Sequence, residues 1–427
     1  MARLVVIGAG AMGLAAAFHA IRRGLQVTVL ETDSVAGGMA AHFDLAGLDI
    51  ERFYHFVCRP DRATFDLLAE LGLADQIRWR RTSMGYFYQG AVHPWGDPIS
   101  LLRFPHLSLM AKLRYGLHAF VSMHRRSWLD LDEIEAVGWL RKWVGAEAYD
   151  AVWRKLMELK FHEYTDRISA AWIWARIHRA GRSRRSMFQE ELGYIEGGTR
   201  TLIDRLSQRI LNAGSSIRLA SPASRVLVEG GAVTGVVVGD ETLPADAVIS
   251  TVPLPLVPRL IPDLPVAELQ ALEAMQNIGV VCVVHKLKRS LSPHFWININ
   301  DPRIDVPGMI EFSNLRPLGD AHVVYIPYYM PVSHPLFQAD DADFVARTRN
   351  YMRMINPSLS ETDFLASAVG RLKHAQPICM PGFAKTLPQV RSKISGLQVA
   401  DTSSYYPEDR GISESVRLGR SMAEAIP

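Results

Sequence analysis

RLVVIGAGAMG, residues 3–13, decides the fold. Arg3–Ile7 is a nearly unbroken apolar run, the pattern of a strand covered on both faces of a parallel sheet. Gly8, Gly10 and Gly13 follow with GxGxxG spacing, with Ala9 and Met12 between them, and residues 14–23 then read as a helix. Gly8 permits a tight turn, Gly10 removes a side chain that would strike a pyrophosphate, and Gly13 lets helix and strand approach closely. A second strand, residues 26–30, ends in Glu31. An acid there accepts two hydrogen bonds from an adenosine ribose and repels a 2′-phosphate. Glycine-rich turns are common, so the glycines alone are weak evidence. Strand, turn, helix, strand and terminal acid in this order predict a dinucleotide site.

The chain has 427 residues, 48% of them hydrophobic and 21% charged, which implies a folded protein of two or three domains. Lys+Arg 47 against Asp+Glu 44 leaves +3, so net charge offers no argument for nucleic acid. Cys58, Cys282 and Cys379 are scattered, with no CxxC pair, which predicts neither a disulfide framework nor a zinc site. Reduced cytoplasm is the expected compartment. The N-terminus passes straight into the strand, without the pattern of a signal peptide. No apolar run approaches the roughly 18 residues of a membrane span.

After Glu31 come TDSVA and Gly37-Gly38. Here the chain resembles the large FAD-dependent family of amine oxidases, protoporphyrinogen oxidase and phytoene desaturase-like enzymes, with UDP-galactopyranose mutase as a more distant relative. The resemblance implies FAD as cofactor, with the Gly-Gly pair passing close to its pyrophosphate. Met39 stands where that family usually has Arg. A second match, GYIEGGTRTLIDRLSQRI at residues 193–210, resembles the segment in which the family's chain re-enters the nucleotide domain. Strands are predicted at 224–229, 232–238 and 247–250, the first two joined by a Gly230-Gly231 hairpin. The resemblance places the backbone near Val226 against adenine, and Thr251 at the crossing out of the domain. The third match is GLQVADTSSYYPEDRGISESVRLGRSMAEAI, residues 396–426. By resemblance, Asp401 meets the ribityl or phosphate region, and Gly411, Ile412 and Ser413 lead into a helix aimed at pyrophosphate or the isoalloxazine carbonyl. Ala400 replaces the customary Gly, and a capping role for Asp401 is the alternative. No second GxGxxG is present for a tightly held NAD(P).

The implied architecture is α/β. A Rossmann-type FAD-binding domain is assembled discontinuously from residues 1–60, 190–262 and 390–427. A mixed-sheet α+β substrate domain takes 61–100 and 263–389, and a helical cap subdomain takes 101–189. Within these, residues 62–71 read as a helix stopped by Gly72, and 85–94 as a hairpin turning at Gln89-Gly90. Strands are expected at 278–285, 294–300, 308–313 and 322–328, and helices at 344–355 and 361–364.

Residues 107–126 form an amphipathic helix, with Met110, Leu113, Leu117, Phe120 and Val121 on one side. Lys112, His118, Ser122, Arg125 and Arg126 lie mostly on the other. Residues 103–128 hold five Lys or Arg and no acid, and 176–185 add five Arg. The apolar stripe is expected to pack inward beneath a basic solvated face. Peripheral contact with the inner face of a membrane, a lipid-like substrate, or a phosphate-bearing substrate held by Arg176, Arg179 and Arg182 are the alternatives.

A flavin performs hydride transfer, and the protein binds it and orients substrate over N5. The expected function is therefore FAD-dependent dehydrogenation, oxidation or desaturation of an apolar, lipid-like or amine small molecule, without nucleic acid. The alternative is a reduced-flavin isomerase of a nucleotide sugar. His55, in DIERFYHFV, is the candidate catalytic residue, able to stabilise charge at the flavin or take a proton; a structural histidine is the other reading. Substrate, electron acceptor and oligomeric state are not legible in the residues.

Overall fold

The computed structural model describes residues 2–186 and 188–427. Strand β1 (Arg3–Ile7) and strand β2 (Gln26–Leu30) pair in parallel at the centre of a five-stranded sheet. Ser216–Arg218 extends it beyond β2, while Ala247–Ser250 and then Leu397–Val399 extend it beyond β1. All four pairings are parallel, so one sheet is drawn from distant parts of the chain. Helix α1 (Ala11–Arg22) is buried from Ala11 through Ala20. A helix this apolar on all sides must be covered on both faces. The sheet covers one face, and the closing helix, Ile412–Glu424, covers the other. Two glycines permit that packing. A Cβ on Gly13 would fall on the Gly8 carbonyl, and one on Gly419 would fall on Met12 O and stand 3.0 Å from Ala16 N.

Helix α2 (Arg62–Glu70) forms where expected. Its Leu67 and Leu68, with Leu71, join the apolar core of α1 and the closing helix, so residues 62–71 pack with the nucleotide sheet instead of the substrate domain to which the sequence assigns them.

The second sheet has seven strands in the order Phe364–Pro377, Asn277–Leu287, His322–Met330, Gly308–Glu311, Trp296–Asn300, Met84–Tyr88, Ala91–Trp95. Its last hairpin turns at Gln89 (φ 49°) and Gly90 (φ 82°), the left-handed pair of a type I′ turn. Residues 361–363 form a single 3₁₀ turn, and the 14-residue strand after it has no counterpart in the sequence reading. That strand pairs on one side only, so most of its middle carries half-exposed or exposed residues and no apolar run.

A buried ion pair ties the small hairpin of residues 42–51 to the second sheet. Glu51 is 1% exposed, accepts from Arg316 Nη1 at 3.0 Å and from Thr199 N at 3.2 Å, while its carbonyl accepts from Tyr325 Oη at 2.7 Å. Beside it, Arg200 N donates to His42 Nε2, which leaves His42 Nδ1 to donate to Asp49.

In the helical cap, the short helix α3 (Pro98–Arg103) precedes α4 (Leu109–His124). The amphipathic helix is present, but its orientation reverses the expectation. The covered stripe is Ala111, Tyr115, His118 and Ser122, at helical spacing, against helices Ala136–Ala148 and Ala170–Arg182. His118 lies edge-on to Trp139, with centroids 4.6 Å apart, and Trp174 Nε1 donates to Ser122 O at 2.9 Å. The apolar residues instead face outward: Leu109 and Met110 are 66% exposed, Leu113 and Leu117 56%, and Phe120 51%. Periodicity identifies two faces of a helix, but only the neighbouring helices decide which one is covered. No helix among the described residues is long and apolar enough to cross a membrane.

Burial without a charged partner lowers the His118 pKa from 6.5 to about 4, so the fold holds the ring neutral. A base with a depressed folded pKa destabilises the fold as pH falls below its unfolded value, because the unfolded chain binds the proton first. Urea unfolding between about pH 7.5 and about pH 5 should therefore cost the native chain roughly 2 kcal/mol more than it costs His118→Leu. Equal losses would remove His118 as the source.

Candidate active site

The glycine turn is locked by its neighbours. Gly8 adopts φ 107°, its N–H donates to Leu30 O at 2.8 Å, and a Cβ there would collide with Thr251 Oγ1. Thr251 binds Ile7 O through both its N–H (2.9 Å) and its hydroxyl (3.0 Å). Gly10 is different: no atom lies within 4 Å of where its Cβ would stand. Gly37 N donates to Ala9 O at 2.8 Å, and the Cβ position of Gly38 lies 3.3 Å from Gly10 Cα. Gly8, Ala9, Gly10, Gly37 and Gly38 thus converge at the carboxyl ends of β1 and β2, where open α/β sheets receive ligands.

Glu31 is on the same rim. Its carboxylate accepts from Ala9 N at 2.8 Å and from Asp33 N at 2.9 Å. Each oxygen keeps a lone pair for a ligand hydroxyl. Met39 is half-buried in the 3₁₀ turn Gly38–Ala40 and supplies no charge. Arg52, not singled out in the sequence, pairs with Asp33 just beyond Glu31 and holds that carboxyl below its usual range. Met12 sits in the first turn of α1 with its side chain in the core. Val226 is fully buried in strand Ala223–Glu229, which follows Ser221, whose N–H donates to Glu31 O at 2.7 Å.

Asp401 is 6% exposed and ties the closing segment down: Oδ2 accepts from Leu254 N at 2.9 Å and Oδ1 from Ser403 N at 2.7 Å. The capping geometry foreseen as the alternative is therefore present, and burial raises its pKa. Gly411 heads the closing helix, with Ile412 and Ser413 buried in its first turn. Neither this helix nor α1 has a side-chain cap at its N-terminus, so their first N–H groups are open to an anion. The space at Gly10, the acceptor at Glu31 and two uncapped helix ends fit a dinucleotide.

Beyond this cleft lies a group of side chains deep in the molecule that nonetheless face an internal space. Tyr54, His55, Lys160, Arg176, Tyr329, Asp409 and Arg410 are each half-buried, keeping part of their surface open among buried neighbours such as Trp172 and Cys379. Groups that are both enclosed and accessible line a cavity. His55 Nδ1 donates to Phe53 O at 2.7 Å, leaving Nε2 as an acceptor. Burial, chiefly, lowers its pKa, with His42 and Arg410 adding to the effect. Lys160 Nζ lies 4.8 Å from the ring centroids of both Trp172 and Tyr329. His162 binds Tyr329 O through Nε2 at 2.7 Å. Strand alternation sends Tyr328 to the opposite core, against Phe344, while Tyr406 binds Ser169 Oγ at 2.7 Å and joins the cap to the closing segment.

The three spaced arginines part company. Arg176 points into the cavity, Arg179 pairs with Asp61 at 2.8 Å, and Arg182 is exposed. Tyr54, Asp409 and Arg410 were not singled out in the sequence; the acid–base pair directly before Gly411 is the signal that could have marked the last two.

A family model described as flavin containing amine oxidoreductase matches residues 13–426. A phytoene dehydrogenase of Streptomyces griseus is 26% identical over 307 residues, 60% of this chain, which spans about half (55%) of that relative's length. Among solved structures, a cyclohexylamine oxidase from Brevibacterium oxydans IH-35A superposes with TM-score 0.74 at 14% identity, covering 100% of this chain and 98% of its own. A reduced UDP-galactopyranose mutase gives TM-score 0.76 at 14% identity, covering 99% and 95%. At such identities the two structures speak for the fold alone.

Glu31→Ala removes the acceptor of two backbone N–H groups on the ligand rim. Flavin dissociation measured by fluorescence should weaken by about 1–3 kcal/mol, the worth of a charge-assisted bond. Unchanged affinity would return Glu31 to a purely structural role.

Proposed function

The chain belongs to the family of flavin-containing amine oxidoreductases and its cofactor is FAD, and on that premise we propose that it dehydrogenates an apolar small molecule held in the deep cavity. When bound, FAD supplies the acceptor for the hydride that leaves the substrate. The backbone at Gly8, Gly10, Gly37 and Gly38 and the open N-termini of α1 and the closing helix receive the pyrophosphate. Glu31 holds the ribose, the backbone near Val226 borders adenine, and Asp401 positions the segment that carries Gly411, Ile412 and Ser413 to the cofactor. Thr251 keeps the glycine turn closed, while Ala9, Met12 and Met39 contribute backbone.

The observation that carries this reading is His55. Its Nδ1–H is committed to Phe53 O, and Nε2 has no hydrogen-bond partner among the described residues, so the neutral ring stands ready to take the proton that leaves with the hydride. A second reading, isomerisation of a nucleotide sugar on flavin reduced beforehand, is favoured by the cations Lys160, Arg176 and Arg410 in the same cavity. Anaerobic mixing separates the two. A dehydrogenation substrate bleaches oxidised FAD stoichiometrically, and His55→Ala slows bleaching on the order of 10²-fold or more while FAD stays bound. Turnover that needs prior reduction and consumes no reductant establishes the isomerase instead.

The exposed face of α3 and α4 bears on where the enzyme works. Leu102, Leu109, Met110, Leu113, Leu117 and Phe120 are each more than half exposed, and residues 98–129 contain no acid. Arg103, Lys112, Arg125 and Arg126 lie along the same stretch. An apolar stripe rimmed by cations suits the headgroup layer of an anionic bilayer. Binding to vesicles containing phosphatidylglycerol should weaken as salt rises, and Leu113→Asp with Leu117→Asp should abolish it with FAD retained. A salt-insensitive dimer that never binds vesicles would assign the stripe to a second copy of the chain.

A further inference from the structure

The cavity beside His55 carries more positive charge than its own protein can neutralise. Lys160 comes from helix Arg154–Phe161, Arg176 from helix Ala170–Arg182, and Asp409 and Arg410 from the loop before the closing helix. Three basic side chains meet Asp409, and Glu408 on the same loop also acts on Arg176, a formal surplus of +1 (three minus two). Arg176 Nη2 pairs with Asp409 Oδ1 at 2.6 Å and Arg410 Nε stands 3.7 Å from the same oxygen, while the two Nε atoms are buried and make no hydrogen bond among the described residues. The side chains of Arg176, Asp409 and Arg410 nevertheless keep 20%, 28% and 19% of their surface open to the internal space. The apolar neighbours of these cations are aromatic: Trp172 and Tyr329 flank Lys160 Nζ, and Tyr329 also lies beneath Arg410, 6.0 Å from its centroid.

Enclosed cations with unsatisfied donors are costly unless an anion completes them. The strain shows in the groups themselves. Burial, reinforced by Arg176, pulls Lys160 well below its usual range, and burial pulls Arg176 down to about 10. The glycine turn that fits a pyrophosphate is built from β1, α1 and residues 37–38; these cations come from the cap and the closing loop.

We propose that Lys160, Arg176 and Arg410 form a subsite for an anionic oxygen group, a carboxylate or a phosphate, on the substrate, with Tyr329 packing its apolar part and the buried Trp172 backing the cations. A protonated amine would meet net repulsion here, so the site selects against the substrate type that gives the family its name. This rests on the reading that the deep cavity receives the substrate. Asp409 sets the strength of the subsite by competing for Arg176.

The test uses FAD-loaded protein with three probes of equal length: hexanoate, hexyl phosphate and hexylammonium. Calorimetric titration and perturbation of the flavin absorption band report binding, and flavin content is measured on each sample. Binding of hexanoate or hexyl phosphate, but not hexylammonium, is expected, and whichever anion binds more tightly identifies the source. Arg176→Gln and, separately, Lys160→Met should each weaken the anion on the order of tenfold with FAD retained. Asp409→Asn should tighten it severalfold, an effect in the direction that misfolding cannot imitate. Preference for hexylammonium, no anion binding at all, or anion binding indifferent to all three substitutions overturns the subsite. Loss of FAD in the Arg176 and Lys160 variants also overturns it, by assigning those cations to the cofactor. Full flavin content with no anion binding leaves the FAD assignment standing while the subsite falls.

Discussion

The closeness of α1 to the backbone on both of its sides is the constraint on which the rest of the molecule depends. Gly13 lets the helix rest on the Gly8 carbonyl, and Gly419 lets the closing helix rest on Met12 and Ala16. Any side chain at either glycine would push a layer away by the width of a methyl group, and packed interiors do not absorb such a gap. That spacing fixes where the N-termini of both helices stand, and hence where two sets of unpaired N–H groups meet the glycine turn. The anion-receiving end of the cleft is therefore a consequence of core packing and not a separate construction.

Sequence reading reached the first two strands, the glycine turn and the hairpin of the nucleotide half, because these parts are local. Arg3–Ile7 and Gln26–Leu30 are strands with the expected bounds, and the glycine turn, Glu31 and the hairpin at Gly230-Gly231 need only their neighbours to be recognised. Where burial depends on distant elements, legibility fell away. Strand Phe364–Pro377 pairs on one side and so carries no apolar run. Residues 62–71 are a helix as expected, but which core they join depends on the last helix of the chain. The same limitation reversed α4: small and polar Ala111, His118 and Ser122 fit against neighbouring helices, while the leucines face out. The charges of the deep cavity come from three separate elements, and of them only Arg176 falls in a pattern visible in the sequence.

The two halves of the molecule handle charge in opposite ways. Glu51 and Arg316 are buried as a pair, with the carboxylate's remaining capacity used by Thr199 N. Such a pair contributes little net stability but specifies how the return segment, the hairpin of residues 42–51 and the second sheet fit together, since removing either partner strands the other. In the cavity the matching is left incomplete. One site holds the architecture in register, and the other keeps its donors for something that is not protein.

The five-stranded sheet also sets an order of events during synthesis. Its first two strands are made long before the strand Leu397–Val399 and the helix that covers α1. Until they arrive, one face of α1 and one edge of Ala247–Ser250 are apolar and open, and the uncapped end of the closing helix does not yet exist. The nascent chain must therefore carry an unfinished core until residues 397–424 have emerged, and the complete cleft forms only after that. Ribosome-associated chaperones that shield apolar surface have their longest engagement with a topology of this kind.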